Sequence, residues 1–358
     1  LGTLFRRRGD YDPALQWLEQ SEKGWAALNQ PTGLGQVLGE KGNVFLRKGD
    51  YAAAIFNLEK SLALARELDD KAGMALALHQ LGIVSHQSDY AAAQTLYEQG
   101  LALWRELGNK LGISNSLNGL AVVVAEQGNY PVAQSLQAES LMLRRELGDK
   151  HGVAISLNNL ADLAEEQGDY TQARKLYSES LILRRELGEK PGIATSVGNL
   201  GVVAFEQGDY ATARALYAES MALWREIGDK RGIGYFALCE GFLARAEGRL
   251  DQALILCREG LEQFQVTKEK RYIAYCLAAL TVITCDQAAI EQDLFLAKRA
   301  ALLAGATDTL MATLKTHLAP QFRLPYESAI AQLRSRLEDK VFLETWQVGK
   351  QMPLDDAV

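Results

Sequence analysis

The amino-acid sequence predicts an all-α fold built from repeated pairs of antiparallel helices. The first observation behind this prediction is a residue that recurs every 39 or 40 positions and has an alanine three residues after it. The recurring reference residues are Tyr11, Tyr51, Tyr90, Tyr130, Tyr170, Tyr210 and Leu250. The alanines are Ala14, Ala54, Ala93, Ala133, Ala173, Ala213 and Ala253. A fixed period of this length is the signature of a repeat protein, in which each repeat packs on its neighbours.

The second observation is the periodicity inside each repeat, counted from the reference residue as position 0. Apolar residues spaced by three and four predict one helix from about position 0 to 17 and another from about position 22 to 36. The third observation is a glycine–aspartate pair at both turns, as in Gly148-Asp149 and Gly168-Asp169 and again in Gly208-Asp209 and Gly228-Asp229. The glycine supplies the left-handed conformation that ends a helix, and the aspartate caps the next helix.

Small residues at two further positions predict close crossings between these helices. Position 10 is small throughout, as Ser21, Ser61, Gly100, Ser140, Ser180, Ser220 and Gly260. Position 31 is also small, as Gly42, Gly82, Ala121, Ala161, Gly201 and Gly241.

The segment Asn159-Leu160-Ala161, followed by Gly168-Asp169-Tyr170, Ala173, Tyr177 and Ser180, resembles the tetratricopeptide repeat (TPR). Its first helix, helix A, corresponds to positions 22 to 36 here, and its second, helix B, to positions 0 to 17. Arg145, Arg185 and Arg225 stand where a 34-residue repeat usually has proline, so the chain is similar to the 40-residue variety of bacterial regulators, Pins-type polarity scaffolds and kinesin light chains. This resemblance implies a right-handed TPR superhelix.

On this basis we expect residues 1–304 to form a TPR solenoid, with a partial repeat, six complete 40-residue repeats and a degenerate one. Because Leu1-Gly2 corresponds to the middle of a helix A, the chain is expected to begin inside a repeat of a longer protein. Residues 305–358 lack the period and are expected to form a helical cap over the exposed end of the solenoid. Its three expected helices are Leu310 to Leu318, Pro325 to Leu337 and Lys340 to Val348.

The C-terminal residues carry a second resemblance. The segments Arg299 to Ala306, Tyr326 to Ala329, Phe342 to Gly349 and Met352 to Val358 look like the extreme C-terminus of bacterial STAND-type signalling ATPases, which include LuxR-type regulators. In those proteins a TPR arm follows the ATPase core. No Gly-x-x-x-x-Gly-Lys-[Ser/Thr] motif occurs in this chain, so the resemblance implies only the sensor or regulatory arm.

Composition narrows the classes of partner. The formal net charge of −7 argues against nucleic acid, because a phosphate-binding face needs excess Lys and Arg. The longest apolar run, around Cys276 to Cys285, is about half the length of a membrane span and indicates a buried helix. Four cysteines without a Cys-x-x-Cys pair favour buried, reduced thiols over a disulfide or a metal site, so a cytoplasmic protein without cofactors is expected.

The candidate ligand-binding residues lie on helix A, at positions 25, 28, 29 and 32. They are Asn115, Asn118, Asn158, Asn159, Asp162, Asn199 and Tyr235. Asparagine is unfavourable inside a helix, yet it recurs here on one face of successive helices. Its amide offers a donor and an acceptor, which matches the two polar groups of each residue of an extended peptide. By resemblance, TPR grooves hold peptide backbones in this way; the alternative is that the asparagines bond to the backbone of the neighbouring repeat.

Two histidines and four glutamates bear on the nature of the ligand. His79 and His86 lie two turns apart on one helix, where they could contact a ligand or simply line the groove. Glu126, Glu165, Glu166 and Glu206 lie near the ends of helix A and favour a neutral or basic segment over an acidic C-terminus. We therefore expect a non-enzymatic module that binds a protein, a peptide or a small inducer in its concave groove. A passive scaffold is the alternative, and an enzyme has only the two histidines in its favour.

The recurring block Arg-Arg-Glu-Leu-Gly-Asp-Lys alternates in charge and predicts solvated ion pairs along the outer edge of the repeats. Trp104 and Trp224 replace the first arginine of this block in two copies. They are expected to pack between successive helices.

Overall fold

A computed structural model describes residues 11–86, 89–314, 318 and 320–353. These residues form 17 helices and no strand. The predicted helical position of Leu1-Gly2 and the last residues of the C-terminal resemblance lie outside them. Packing separates the chain into two compact units, residues 1–163 and 164–358.

The first unit contains one helix B followed by helix pairs. Its helices are α1 Tyr11–Ala27, α2 Pro31–Lys48, α3 Tyr51–Glu67, α4 Lys71–Ser85, α5 Tyr90–Glu106, α6 Lys110–Glu126, α7 Tyr130–Glu146 and α8 Lys150–Glu166. The division between the units lies inside α8, after residue 163. Even-numbered helices up to α14 are helix A of a repeat, and odd-numbered helices up to α15 are helix B.

The second unit continues the same alternation and ends with two further helices. Its helices are α9 Tyr170–Leu187, α10 Lys190–Glu206, α11 Tyr210–Ile227, α12 Lys230–Ala246, α13 Leu250–Thr267, α14 Lys270–Glu291, α15 Leu294–Leu314, α16 Pro320–Arg336 and α17 Asp339–Gln351. Consecutive repeated helix pairs and the absence of strands in the described residues confirm the predicted all-α class.

The turns confirm the predicted caps. Gly228 ends α11 with a φ of 74°, and the carboxylate of Asp229 accepts a hydrogen bond from the backbone N–H of Gly232 at 2.8 Å. Helix A therefore begins at position 20, about two residues earlier than apolar spacing alone indicates, because the cap rather than the first apolar residue sets its start. The carboxylate of Asp169 caps α9 in the same way through the backbone N–H of Gln172, at 3.0 Å.

Small residues hold the two helices of a repeat together. Each alanine at position 3 is fully buried, from Ala14 to Ala253. Three of the position-10 serines donate hydrogen bonds to helix A carbonyls 26 residues earlier, among them Ser140 to Ser114 at 2.9 Å and Ser220 to Ala194 at 2.8 Å. A larger residue would separate the backbones and break these contacts.

Solvated ion pairs lie along the outer edges as predicted, but the arginine pairs join successive repeats and use glutamates outside the predicted block. Arginine at position 15 of one helix B contacts glutamate at position 9 of the next. The N···O distances are 3.0 Å for Arg105–Glu139, 3.2 Å for Arg185–Glu219 and 3.0 Å for Arg225–Glu259. All six side chains keep solvent contact, so each pair contributes about 0–1 kcal/mol.

The residue at position 14 packs over the glycine at position 22 of the following helix A. The tryptophan prediction is confirmed, since a Cβ on Gly112 or Gly232 would lie 2.3 or 2.2 Å from the ring of Trp104 or Trp224. For Arg144 and Arg184, at the same position, the prediction of solvated ion pairs is wrong. Both are buried, because the glycine leaves room for the guanidinium to donate to its carbonyl, Gly152 at 2.7 Å and Gly192 at 2.6 Å.

The degenerate repeat differs by one helical turn. Helix α14 has 22 residues, whereas most helices A have 17, so α15 begins at Leu294, 44 residues after Leu250. Counted from Leu294, positions 3 and 10 are the fully buried Ala297 and Ala304. Among the described helices α14 alone is long and apolar enough to cross a membrane, with a mean hydropathy of 1.6, yet 78% of that stretch is buried. This confirms the predicted buried helix, and all four cysteines are buried and free.

The predicted helix Leu310 to Leu318 is wrong, because α15 runs without a break from Leu294 through Gly305 to Leu314. Gly305 and Gly349 form a close crossing of α15 and α17. A Cβ on Gly305 would lie 2.0 Å from the carbonyl oxygen of Trp346, and one on Gly349 would lie 1.9 Å from that of Leu302. Glycine serves here for backbone approach rather than for ending a helix.

Helix α16 packs against α12 and α14, the last two helices A. Phe322 is buried with its ring centroid 5.0 Å from that of Phe242 on α12 and 5.2 Å from that of Tyr275 on α14. On α17, Phe342 is buried, whereas Leu343 is 51% exposed, because the neighbouring position turns away from the packed stripe. That residues 305–358 act as a cap remains a proposal.

Asp308 on α15 joins the last two helices. Its carboxylate accepts hydrogen bonds from the Tyr326 hydroxyl at 2.8 Å and from Trp346 Nε1 at 2.9 Å. Both donors thus have a partner in a largely apolar region, where an unbonded polar group would be costly.

Candidate functional site

The first unit presents a group of polar side chains on successive helices A, which we call the asparagine face. It comprises Asn115 and Asn118 on α6 and Asn158, Asn159 and Asp162 on α8. These side chains lie one above another because the same repeat positions recur on helices that stack side by side. Asn158 is buried, Asn115 is exposed and the other three are half-buried.

Asn118 lies at the centre of this face. Its Oδ1 accepts one hydrogen bond from Nδ2 of Asn159 at 2.9 Å and another from Nε2 of Gln137 at 3.0 Å. Within the described residues, the Nδ2 group of Asn118 and the Oδ1 atom of Asn159 make no hydrogen bond. The linked amides therefore keep one donor and one acceptor available on a half-exposed surface.

Buried residues beneath the face fix the orientation of the amides. Gln137 on α7 is fully buried and reaches both Asn118 and the carbonyl oxygen of Ser156, the latter at 3.5 Å. Arg144 donates from Nη1 to the Ser156 hydroxyl at 3.1 Å and from Nη2 to Oδ1 of Asn115 at 3.1 Å. Burial lowers the pKa of Arg144.

Sequence reasoning missed Gln137 as part of the site, although the repeat register carries a signal. Gln137 occupies position 7, where most other repeats have a large apolar or aromatic residue: Leu18, Leu58, Tyr97, Tyr177 and Tyr217. A polar residue at a core position is expected to have a buried hydrogen-bonding role.

Asn158 and Asp162 form a second pair, one turn apart on α8. The Nδ2 atom of Asn158 lies 3.2 and 3.3 Å from the two carboxylate oxygens of Asp162. Asp162 adds a negative charge to the asparagine face, which otherwise consists of neutral amides. In electrostatic terms this part of the face favours a neutral or basic group over an acidic one.

His79 on α4 and His86, in the turn directly after α4, pack on two different tyrosines of α5. The His79 and Tyr97 ring centroids are 5.4 Å apart, as are those of His86 and Tyr90. Burial lowers the pKa of His79 to about 4, so it is neutral near pH 7 and a weak base. A joint ligand contact by His79 and His86 stays a prediction.

In the second unit, Asn199 on α10 and Tyr235 on α12 are half-buried. The Tyr235 ring packs edge-on against Phe236 at 5.1 Å and against Tyr272 at 6.1 Å between centroids. Burial raises the pKa of the Tyr235 hydroxyl. Its surroundings are those of an aromatic cluster, and the proposed ligand contacts of both residues stay predictions.

The acidic residues near the ends of helix A have different surroundings. Glu126 in the first unit is exposed. In the second unit Glu166 is exposed too, Glu165 accepts a hydrogen bond from the Tyr177 hydroxyl at 3.0 Å and Glu206 accepts one from that of Tyr170 at 3.4 Å. Burial raises the pKa of Glu206. No group of three or more His, Cys, Asp or Glu residues that could hold a metal ion occurs in the described part of the chain.

Comparison with known proteins agrees with this architecture. A family model described as a tetratricopeptide repeat matches residues 33–106, 83–146, 112–186 and 152–226. The search of curated proteins gave no match.

Three solved structures illustrate the structural similarity. The apo form of RapI has a TM-score of 0.58 at 14% identity, covering 84% of this chain and 99% of that one. Aspartyl phosphate phosphatase F from Bacillus subtilis has a TM-score of 0.58 at 12% identity, covering 89% and 74%. NprR in complex with its cognate peptide NprX has a TM-score of 0.51 at 17% identity, covering 63% and 65%. At these identities the likeness concerns the fold.

Proposed function

Because the chain belongs to the tetratricopeptide repeat family, whose repeats are a protein-interaction fold, we propose that it is a non-enzymatic binding module. In this proposal the asparagine face holds an extended segment of a protein or peptide. Polar side chains of α6 and α8 contact the backbone of that segment, and the neighbouring helices A extend the surface within the first unit.

The observation that carries the proposal is the donor and acceptor left available by Asn118 and Asn159. An extended peptide presents a carbonyl and an N–H at each residue. The Nδ2 group of Asn118 can donate to such a carbonyl, and Oδ1 of Asn159 can accept from such an N–H. Because Gln137 and the Asn118–Asn159 bond already hold both amides, little side-chain entropy is lost on binding.

Two further observations support this choice. NprR, which has a similar fold, has been solved with a cognate peptide. The low pKa of His79, about 4, removes that histidine as a general base near neutral pH. Aspartyl phosphate phosphatase F is named as an enzyme, so the purified chain should also be assayed for phosphatase activity; turnover that survives purification would contradict the proposal.

We further propose that the chain is the cytoplasmic sensor arm of a larger bacterial signalling ATPase, following the resemblance of its C-terminal residues. Binding of the segment would shift the population of arm conformations and thereby regulate the ATPase. A P-loop encoded upstream in the same gene is the expected finding. A gene that encodes only TPRs upstream would favour a passive scaffold instead.

The test is selection of peptides from a random display library on the purified chain, followed by affinity measurements. A single backbone hydrogen bond contributes about 0.5–1.5 kcal/mol net, so Asn159→Ala should lower the affinity for the selected peptide by roughly 2- to 12-fold. Asn129→Ala is the matched control, because Asn129 is exposed and its side chain makes no cap bond. Equal affinity of all three proteins would contradict binding at this face.

A further inference from the structure

The second unit contains a cavity of about 280 Å³ between two successive helices B. Its walls are α13 and α15, and α14 forms its floor. The buried part is apolar, with Leu261, Leu280 and Leu303. The outer part carries the charged side chains of Arg258, Glu262 and Arg299, which are exposed.

The corresponding space in the preceding repeat is crossed by two ion pairs. Between α11 and α13, Arg225 contacts Glu259 at 3.0 Å. Arg214 on α11 also contacts Glu247, in the turn after α12. The pair formed by positions 15 and 9 recurs elsewhere, as in Arg105–Glu139 and Arg185–Glu219.

Around the cavity, all four of these positions are uncharged. Counted from Leu250 and Leu294, Gln265 and Leu303 replace the arginine at position 15 and the glutamate at position 9. Leu254 and Gln287 replace the counterparts of Arg214 and Glu247. All four replacements line the cavity, so the space opens where the inter-repeat ion pairs are missing.

Two arginines are present at the place where these ion pairs are absent. Arg258 and Arg299 come from opposite walls, and neither makes a hydrogen bond or an ion pair within the described residues. In the preceding repeat the equivalent residues are Ala218 and Ile255. A guanidinium presents a planar fork of donors that matches a carboxylate in two-pronged geometry.

We propose that this cavity binds a small monocarboxylate with an apolar body, independently of the asparagine face. The carboxylate lies between Arg258 and Arg299, and the apolar body contacts Leu261, Leu280 and Leu303. At about 30 Å³ for each water-sized group, the cavity holds roughly nine such groups. This size suits a straight-chain carboxylate of about six to eight carbons.

The experiment is titration of the full chain with butyrate, hexanoate and octanoate, followed by calorimetry and by NMR of the protein amides. Hexanol, hexylammonium and inorganic phosphate are the matched probes that lack the carboxylate, reverse the charge or lack the apolar body. Hexanoate or octanoate should bind at least tenfold more tightly than each of these. If none of the carboxylates saturates, or if hexanol or phosphate binds as well, the proposal is overturned.

Variants locate the site. Arg258→Gln and Arg299→Gln should each lower the affinity for hexanoate about tenfold, because charge-assisted hydrogen bonds are lost. Lys298→Gln removes the same charge from an exposed residue of α15 outside the lining and should have no effect. The double change Gln265→Arg with Leu303→Glu restores the ion pair of the other repeats and should abolish binding. Equal weakening by Lys298→Gln, or unchanged binding in the arginine variants, would place the carboxylate elsewhere and overturn the proposal.

Discussion

The same repeat positions have opposite chemistry on α8 and on α12. Positions 28, 29 and 32 are Asn158, Asn159 and Asp162 on α8, and Leu238, Cys239 and Phe242 on α12. On α12 all three are buried, and α16 covers this side through the contact of Phe322 with Phe242. On α8 the polar residues include two that keep contact with solvent.

This difference shows that the repeat scaffold does not determine what its helix A face does. Small residues at positions 3 and 10 hold the helix pair in both places. An apolar face must be covered, and here the chain supplies its own helix for the purpose. A polar face can remain open to solvent, and its unused hydrogen-bonding groups are then available to a partner.

The largest expected effect concerns the covered face. Phe322→Ala should lower the free energy of unfolding by about 3–5 kcal/mol, because it removes a buried ring and leaves a cavity against Phe242 and Tyr275. Chemical denaturation monitored by circular dichroism measures this. Leu324→Ala, on the same helix but 65% exposed, is the control and should stay within about 0.5 kcal/mol of the parent. Equal effects of the two would mean that α16 does not cover α12.

Acid should destabilise the first unit through His79, which lies on α4 at position 28 of its repeat. Its pKa is about 4 in the folded chain and 6.5 when unperturbed, so the unfolded state binds a proton that the folded state excludes. The stabilisation is complete above pH 6.5 and is lost as the pH falls towards 4, by up to about 3 kcal/mol.

The check for His79 is the difference in unfolding free energy between the parent and His79→Gln, measured from pH 7 to 4. The parent should lose stability relative to His79→Gln as the pH falls from 6.5 towards 4. His151→Gln, at an exposed histidine of α8, is the control. A parent and a His79→Gln variant with parallel pH profiles would refute the burial of His79.

Gly349→Ala tests how the C-terminal helices are attached. The new Cβ would lie 1.9 Å from the carbonyl oxygen of Leu302, so α15 and α17 must separate, at a cost of about 1–3 kcal/mol or more. Gly24→Ala in α1 is the control, because its Cβ would meet no atom within 4 Å beyond the backbone of its own helix. That change should stabilise by about 0.5–1 kcal/mol. Thermal unfolding should move in opposite directions in the two variants.

Substitutions on the asparagine face have the smallest expected effects on stability, and those of Asn118 and Asn159 should be unequal. Asn118→Ala leaves the fully buried Gln137 with only its 3.5 Å contact to Ser156, which costs about 1–3 kcal/mol. Asn159→Ala removes one bond at a half-exposed site and should cost about 0.5–1.5 kcal/mol. Denaturant midpoints distinguish the two. Equal or larger destabilisation by Asn159→Ala would show that Asn159, rather than Asn118, supports the fold.

Local signals in the sequence predict most of the fold but not the packing of its last helices. Glycine–aspartate pairs such as Gly228-Asp229 act within a few residues, so their caps follow directly from the sequence. Gly305 does not end a helix, because its role depends on Gly349, 44 residues away. The cover provided by Phe322 depends on packing against Phe242 and Tyr275, which no local pattern encodes.

The same limit applies to the candidate site. The positions of Asn118 and Asn159 follow from the repeat register. Their bond to each other and the support from Gln137 depend on side-chain geometry between helices. The alternative anticipated from the sequence, bonding to a neighbouring backbone, differs from the side-chain bond observed for Asn159. The buried position of Arg144 was missed because charged residues are almost never fully buried unless paired.

The most direct test of the central claim is a double-mutant cycle between Asn159 and the backbone of a selected peptide. Peptides with a single N-methylated amide lack one backbone donor, and each is measured against the parent and against Asn159→Ala. If Oδ1 of Asn159 accepts a backbone N–H, one methylated position and Asn159→Ala should couple by about 0.5–1.5 kcal/mol. The remaining methylated positions should be additive with the variant. Additivity at every position would contradict recognition of an extended backbone by the asparagine face.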